Sequence, residues 1–345
     1  MKTDNVRIVK ARPLLTPAIL HEEIPLNPET AGLIHASRRT VEAILDGDDR
    51  RIMVVVGPCS VHDPQAALAY AERLQLLAEE LSSALFIVMR VYFEKPRTRL
   101  GWKGLINDPN LDGSFQINKG LRLARQLLSD ISAIGLPAGT EFLDTTFGQF
   151  YTDHIGWGAI GARTAESQIH RELASGLSMP VGIKNRTDGN MQVAVDAILA
   201  ARSPHLFPSL TEQGAPAILE TSGNPYCHLV LRGGTVTGPN YHASSVDAAL
   251  DLLHAVELPK VLMVDCSHGN SESDPSRQID VVQSIIRQRR KGQRAIRAVM
   301  LESHLVAGRQ NVKDVPLTFG QSITDACLGY DDTADVLRDL AAAVN

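Results

Sequence analysis

The sequence predicts an α/β fold, a (β/α)8 barrel with an N-terminal extension and a β-hairpin inserted before the sixth barrel strand. Three observations predict it. Eight short apolar runs rich in Val, Ile and Leu recur along the chain, as buried parallel strands require. Segments of helical period separate most of them, which is the alternation of a βα repeat. Nearly every run ends in a polar cluster, and in such a barrel chemistry gathers where strands end and loops begin. A length of 345 residues suits one barrel of ~250 residues with additions. An open doubly wound sheet is the alternative arrangement of the same elements.

Residues 1–50 differ from the rest. Pro13, Pro17, Pro25 and Pro28 precede a helical pattern through Ile34, Val41, Ile44 and Leu45. This segment reads as an arm that packs on a neighbouring surface, with residues 51–345 as the catalytic barrel. The eight strands are placed at Ile52–Gly57, Leu85–Tyr92, Ala138–Leu143, Trp157–Ala162, Val181–Asn185, Leu229–Gly233, Val261–Asp265 and Ala298–Glu302. Helices are placed at Pro64–Leu81, Phe115–Ile131, Ala165–Gly176, Asn190–Arg202, Ser244–Val256 and Pro275–Arg290. The short runs His205–Leu210 and Ala217–Thr221, joined by Thr-Glu-Gln-Gly-Ala-Pro, read as the inserted hairpin. Arg287, Arg289, Arg290 and Lys291 read as a solvated helix end complementing the dipole.

Composition narrows the class. Hydrophobic residues are 44% and charged residues 21%, so the chain can bury a large core and is not disordered. A formal charge of −5 and only 5% aromatics argue against a nucleic-acid partner or a base-stacking platform. The N-terminus lacks the apolar stretch of a signal peptide, and no run approaches ~18 apolar residues, so no membrane partner is expected. The expected location is the cytoplasm, where Cys59, Cys227, Cys266 and Cys327 would stay reduced.

The polar strand ends form two groups. Arg90, Lys95, Arg97, Arg163, Lys184 and Arg232 make a cationic group. On a barrel they converge on one cleft fit for two or more anionic groups, since Arg pairs bidentately with phosphate and carboxylate. Cys59, His268 and Glu302 end strands 1, 7 and 8, which adjoin in a closed barrel, and Asp325 follows in Ser-Ile-Thr-Asp-Ala-Cys. A thiolate, an imidazole and two carboxylates suit a divalent manganese, iron, cobalt or zinc ion. The spacing alone is weak, a buried core thiol is the plain alternative for Cys59, and His62 and His304 are rival ligands. Gly156, Gly158 and Gly161 fit a dinucleotide fingerprint but lie inside the strand-4 run rather than in a turn after it, so that reading is rejected.

The stretches GPCSVHDP (57–64), MRVYFEKPRTRLGWKGLINDP (89–109), TEFLD (140–144), LRGG (231–234), VDCSHGNS (264–271), ESHLVAG (302–308) and GQSITDACLGY (320–330) resemble the type I 3-deoxy-D-arabino-heptulosonate 7-phosphate synthases. WGAIGARTAESQIHRELASGL (157–177) adds to the match, which runs over essentially the whole chain. The resemblance implies a metal-dependent condensation of phosphoenolpyruvate with D-erythrose 4-phosphate that releases phosphate and opens the shikimate pathway. It implies Cys59, His268, Glu302 and Asp325 as metal ligands. Arg90, Arg163, Lys184 and Arg232 would hold phosphoenolpyruvate, Lys95 would serve the shared centre, and Arg97 and Thr98 would grip the sugar phosphate. Lys95, Arg163, Lys184 and His268 are the expected catalytic groups. Related synthases using another aldehyde, or a silent metabolite sensor, are the alternatives.

The resemblance also implies feedback by an aromatic amino acid and a homodimer or homotetramer. The matched effector positions are Gly148, Gln149, Leu177, Ser178, Phe207 and Ser209, closed by an arm near Asn5 and Ile8 of a partner subunit. Phe-Gly-Gln-Phe at 147–150 resembles the tryptophan-sensitive subgroup, while Asn5 resembles the tyrosine-sensitive one. Two departures stand out: Arg186 occupies a position where the family has Gly, and the 233–240 loop is about two residues longer than usual.

Overall fold

A computed structural model describes residues 3–97 and 99–344. Eight parallel strands close into a barrel: β1 (Ile52–Gly57), β2 (Leu85–Arg90), β3 (Ala138–Glu141), β4 (Ile155–Ile160), β5 (Val181–Lys184), β8 (Cys227–Leu231), β9 (Leu262–Asp265) and β10 (Ile296–Glu302). Going round, the order is β1-β10-β9-β8-β5-β4-β3-β2. The register Gly57↔Glu302 brings the ends of the first and last barrel strands together. Between β5 and β8 the chain forms the antiparallel hairpin of β6 (Leu206–Leu210) and β7 (Pro216–Glu220), with Phe207 opposite Leu219. The barrel and hairpin therefore stand where the sequence places them, with the fourth, sixth and eighth barrel strands each starting two residues earlier than expected.

Helix starts are written locally. In α3 (Pro64–Glu80) Asp63 accepts from the amides of Gln65 and Ala66, and Pro64 takes the first turn, where its missing N–H costs nothing. The extension contains α1 (Pro17–Glu23), which the sequence reading missed, and α2 (Pro28–Asp46). Asn27 caps α2, and Gly47 ends it at φ +88°, a conformation that favours glycine.

The neighbouring surface that receives α2 is the floor of its own barrel. Val41, Ile44 and Leu45 cluster with inward side chains of the barrel strands, among them Met53, Val55, Val88, Trp157, Met263 and Met300. A second, larger cluster joins the outward strand faces to the surrounding helices. Arg38 fixes the helix by donating to the carbonyls of Ile155 and Thr152 at 2.9 and 2.8 Å. The three glycines of the strand-4 run make room for neighbours. A Cβ at Gly156 would meet Ser37 of α2, one at Gly158 the Phe142 ring, and one at Gly161 the Glu141 carboxylate.

One expectation is corrected. Arg289, in α8 (Arg277–Arg290), is buried rather than solvated and donates to the Ile296 carbonyl at 3.2 Å. Burial, with Arg294 and Arg297 nearby, lowers its pKa to about 10. Among the described residues no helix is long and apolar enough to cross a membrane.

Candidate active site

The C-terminal ends of the barrel strands open onto a cavity of about 710 Å³, within the ordinary range for a small-molecule site. Lys95, Arg97, Arg163, Lys184 and Arg232 line it, with Glu141, His268, Glu302 and Asp325. Thr98 lies outside the described residues.

Three strands next to one another, β1, β10 and β9, deliver the metal-type donors. Ligand atoms of Cys59, Glu302 and Asp325 all lie within 4.8 Å of one another. His268 Nε2 joins them at 3.6 Å from Glu302 Oε1. Asp325 is returned to this arc by a loop, its amide donating to Cys59 Sγ at 3.4 Å. A side-chain contact between Ser60 and Thr324 at 2.7 Å holds that loop to the end of β1. A soft thiolate, an imidazole and two carboxylates converging this closely fit a divalent transition ion. His62, His304 and His268 all fall outside the three-residue donor group, but of the three only His268 reaches it, through Glu302.

The electrostatics suit that reading. Burial, and then the Glu302 carboxylate, push the Cys59 thiol up to about 11. A metal must therefore displace a proton to take this sulfur. Burial works against the charge on Lys95, but Cys59, Glu302 and Asp325 outweigh it and hold the ammonium protonated.

His268 sits at φ +56°, uncommon for a non-glycine residue. Its turn is fixed by the buried Asn270, whose amide donates to the carbonyls of Leu231 and Asp265. Asp265, fully buried, accepts from Lys184 Nζ at 2.8 Å and lies 3.0 Å from His268 Nδ1. Burial alone would raise its pKa, yet Lys184 and His268 hold it well below the carboxylate range. One carboxylate thus orients a cation of one group and an imidazole of the other.

The cations occupy two flanks. Arg163 and Arg232 follow β4 and β8, and Lys184 ends β5, three strands that adjoin in the barrel. Burial lowers the pKa of Arg232, and the neighbouring Arg163 lowers it further against the pull of Asp265. Such crowding of positive charge is relieved by an anion. Lys95 and Arg97 stand on the other flank, after β2, where Arg97 Nε donates to the Trp102 carbonyl at 2.7 Å. Arg90, expected to hold phosphoenolpyruvate, is not among the residues lining the cavity and lies beneath it. It is fully buried, its guanidinium is 3.5 Å from the centre of the Tyr92 ring, and it donates to Glu302 at 2.9 Å and to the Cys59 carbonyl at 3.1 Å.

Several supporting residues escaped the sequence reading. In the sequence Asp265 shows only as the end of its strand. Buried Asn185, Asn240 and Asn270 stitch together the loops after β5, β8 and β9, with Asn185 accepting from the Arg232 amide at 2.8 Å. Gln278 of α8 braces Glu302 through both backbone groups, at 3.0 and 2.8 Å. An amide side chain looks the same in sequence whether buried or solvated, so only the Lys-Asn and Ser-His-Gly-Asn contexts hinted at these roles.

Arg186 adds no free cation to the cleft. It pairs with Asp188 and, at 2.8 Å, with Glu166. The 234–238 loop folds back on this segment, the amides of Thr235 and Thr237 donating to the carbonyls of Thr187 and Asp188. The two departures from the family pattern therefore touch each other.

The positions that the resemblance assigns to an effector lie elsewhere. Gly148 and Gln149 fall on a 3-10 turn over Phe147–Phe150, against which α1 packs. Phe207 and Ser209 are on β6, and Leu177 and Ser178 follow α5 (Gln168–Gly176). The amide of Ala18 in α1 donates to Glu212 in the hairpin turn, so α1 ties that turn to the 3-10 segment. Asn5 and Ile8 are exposed on the arm, where Ile8 borders Gly113–Phe115 of the same chain.

The model of the DAHP synthetase I family matches residues 23–338. The chain is 54% identical over 345 residues to the Trp-sensitive phospho-2-dehydro-3-deoxyheptonate aldolase of Enterobacter agglomerans, covering 100% of this chain and 99% of that one. It is 53% identical over 344 residues to the Phe-sensitive enzyme of Escherichia coli K12, covering 99% and 98%. A solved phospho-2-dehydro-3-deoxyheptonate aldolase from Francisella tularensis SCHU S4 superposes with a TM-score of 0.96 at 50% identity, covering 97% of this chain and 98% of that one. With its barrel, its donor cluster and these matches, the chain belongs to the DAHP synthetase I family.

Proposed function

We propose that the two cationic flanks hold two anionic substrates and that the donor cluster between them serves the aldehyde. The chain is a 3-deoxy-7-phosphoheptulonate synthase. It condenses phosphoenolpyruvate with D-erythrose 4-phosphate, releases phosphate, and is regulated by aromatic feedback. The observation that carries the division of labour is the single cavity lined by Arg163, Lys184 and Arg232 on one side and Lys95 and Arg97 on the other.

Cys59, His268, Glu302 and Asp325 would hold a divalent ion, which when bound supplies Lewis-acid polarisation of the aldehyde oxygen. Arg163, Lys184 and Arg232 orient phosphoenolpyruvate, and Arg97 with Thr98 takes the phosphate of the aldehyde. Bringing two anions together costs repulsion, which preplaced cations offset without reorganisation. The nucleophile is C3 of the enol phosphate, so the protein need supply none. C2 then takes up water and the hemiketal loses phosphate. Lys95, Glu141 and His268, which all line the cavity, are the groups placed to move protons. Arg90 acts from below, holding Glu302 and the Cys59 backbone in place.

For the effector we favour tryptophan, then tyrosine, on the Phe-Gly-Gln-Phe turn. Relatives named Trp-sensitive and Phe-sensitive are similar to this chain to nearly the same degree, so overall identity does not choose. A Cβ at Gly148 would make only ordinary contact with the Phe142 ring at 3.6 Å. The assembly we propose is a dimer or tetramer in the cytoplasm, with the arm of one subunit closing the effector pocket of another.

Arg163→Lys tests the division. It keeps charge but loses the bidentate fork. The KM for phosphoenolpyruvate should rise with little change for erythrose 4-phosphate; equal effects on both substrates contradict the assignment.

A further inference from the structure

We propose that Arg309 is a specificity-determining residue that contacts the phosphate of the aldehyde substrate; this rests on the reaction proposed above. Arg309 ends β11 (Val306–Arg309), a short strand beyond the barrel paired with β12 (Gln321–Ser322). Nothing in the spacing of the sequence singled it out.

Its mounting is rigid although its side chain is exposed. On one side Gly308 exchanges two backbone hydrogen bonds with Cys327, at 2.8 and 3.1 Å. On the other the Gln310 amide donates to the Ser322 carbonyl at 2.8 Å, and the Gln310 side chain ties down Thr318 and Gln321. Asp325, one of the metal-type donors, lies between those two anchors. The backbone carrying Arg309 is therefore fixed to the loop that positions Asp325.

Arg309 lines the catalytic cavity. Among the described residues no carboxylate lies within salt-bridge distance of it, whereas Lys184 in the same cavity is paired with Asp265. An arginine serving only as a solvated rim charge has no reason to face a cavity already crowded with cations. A dianionic ligand gives it one.

Barrel order and the anchors of Arg309 together decide which ligand. Arg309 follows β10, four strands from β4 and thus across the barrel from Arg163, and two strands from both β8, which leads to Arg232, and β2, which leads to Arg97. Its anchors tie it to the Asp325 loop, which contacts Cys59 and Ser60 after β1, on the side of β2 and away from β8. Arg309 therefore stands on the side of Cys59, Glu302 and Asp325, with Arg97 after β2 on the far side of β1. An aldehyde whose oxygen points at the donor cluster extends its four-carbon chain toward the rim, where Arg97 and Arg309 approach from either side. Two arginines then clasp one phosphate, and the site selects a phosphorylated aldehyde over the free sugar.

The test is steady-state kinetics of the metal-loaded, full-length protein with erythrose 4-phosphate and with erythrose, for wild type, Arg309→Ala and Arg309→Lys. Loss of a charge-assisted contact should raise the KM for erythrose 4-phosphate by about ten- to a hundredfold in Arg309→Ala. The KM for phosphoenolpyruvate should stay within about twofold, and Arg309→Lys should recover part of the loss. The preference for erythrose 4-phosphate over erythrose should fall by the same factor, an effect that mere structural damage does not produce. An unchanged KM for erythrose 4-phosphate, or an equal rise for both substrates, overturns the role of Arg309. Absence of product with wild type would instead overturn the reaction itself.

Discussion

Asp265→Asn isolates the link between the two halves of the site. The side chain is fully buried, 2.8 Å from a Lys184 ammonium that is itself 4% exposed, and 3.0 Å from His268 Nδ1. Asparagine keeps the shape and can still accept from the Ser267 amide and hydroxyl, now at 3.0 and 2.6 Å from Asp265. It cannot neutralise Lys184, and its own N–H group would face another donor. Removing one partner of a buried pair costs about 3–5 kcal/mol, because the remaining charge has neither water nor counter-ion. Against a total stability of ~5–15 kcal/mol this is a large share. The assay is urea unfolding of metal-free protein at neutral pH, for wild type, Asp265→Asn, Lys184→Met and the double variant. The double variant should be more stable than Asp265→Asn alone, since removing both charges leaves neither buried without its partner. Metal affinity of Asp265→Asn should fall about 10–100-fold as His268 loses its orienting partner. A single variant within about 0.5 kcal/mol of wild type, or a double variant showing the sum of both losses, would refute the reasoning.

Two further outcomes follow from the same geometry. Glu94 is buried, and burial, with Asp144 and Glu141 adding to it, raises its carboxyl to about 8 from an ordinary 4.5. A raised folded value means the stabilisation is complete below pH 4.5 and is lost as pH rises through 8, at roughly 1.4 kcal/mol per unit. Glu94→Gln should therefore match wild-type stability near pH 4 and exceed it by a few kcal/mol near pH 9; parallel stability curves would contradict this. For the effector, initial rates measured against tryptophan, tyrosine and phenylalanine should show inhibition by tryptophan that weakens when residues 1–15 are removed. Inhibition arises only where the effector binds the less active state better, so unchanged inhibition after truncation would exclude the arm from the pocket.

The barrel was legible because its signal is repeated and physical. β1 needed six consecutive buried positions, and Ile52–Gly57 supplies them. The hairpin was legible from two short runs around a polar turn. α1 was not, because seven residues after Thr16 carry too little periodicity to separate from a loop. The role of α2 was half legible: its apolar face is written in Ile34, Val41 and Ile44, but periodicity names no partner, and here the partner is the barrel floor. At the site, charged residues at strand ends announced themselves. Their supports did not, since Asp265, Asn185 and Gln278 act through burial and contact, which a sequence does not display. Arg90 shows the same limit from the other side, for its cationic character was plain while its position beneath Glu302 was not. Arg289 failed for that reason too, as the cations around it, Arg287, Arg290 and Lys291, are exposed.

The central claim is that Cys59, His268, Glu302 and Asp325 form the metal site on which this condensation depends. The most direct measurement is formation of the heptulosonate product from phosphoenolpyruvate and erythrose 4-phosphate by chelator-stripped protein, before and after manganese, iron, cobalt or zinc is restored. Wild type should be inactive when stripped and recover with added metal, while Cys59→Ala stays folded and inactive at metal concentrations that saturate wild type. Full activity of metal-stripped Cys59→Ala would contradict the account.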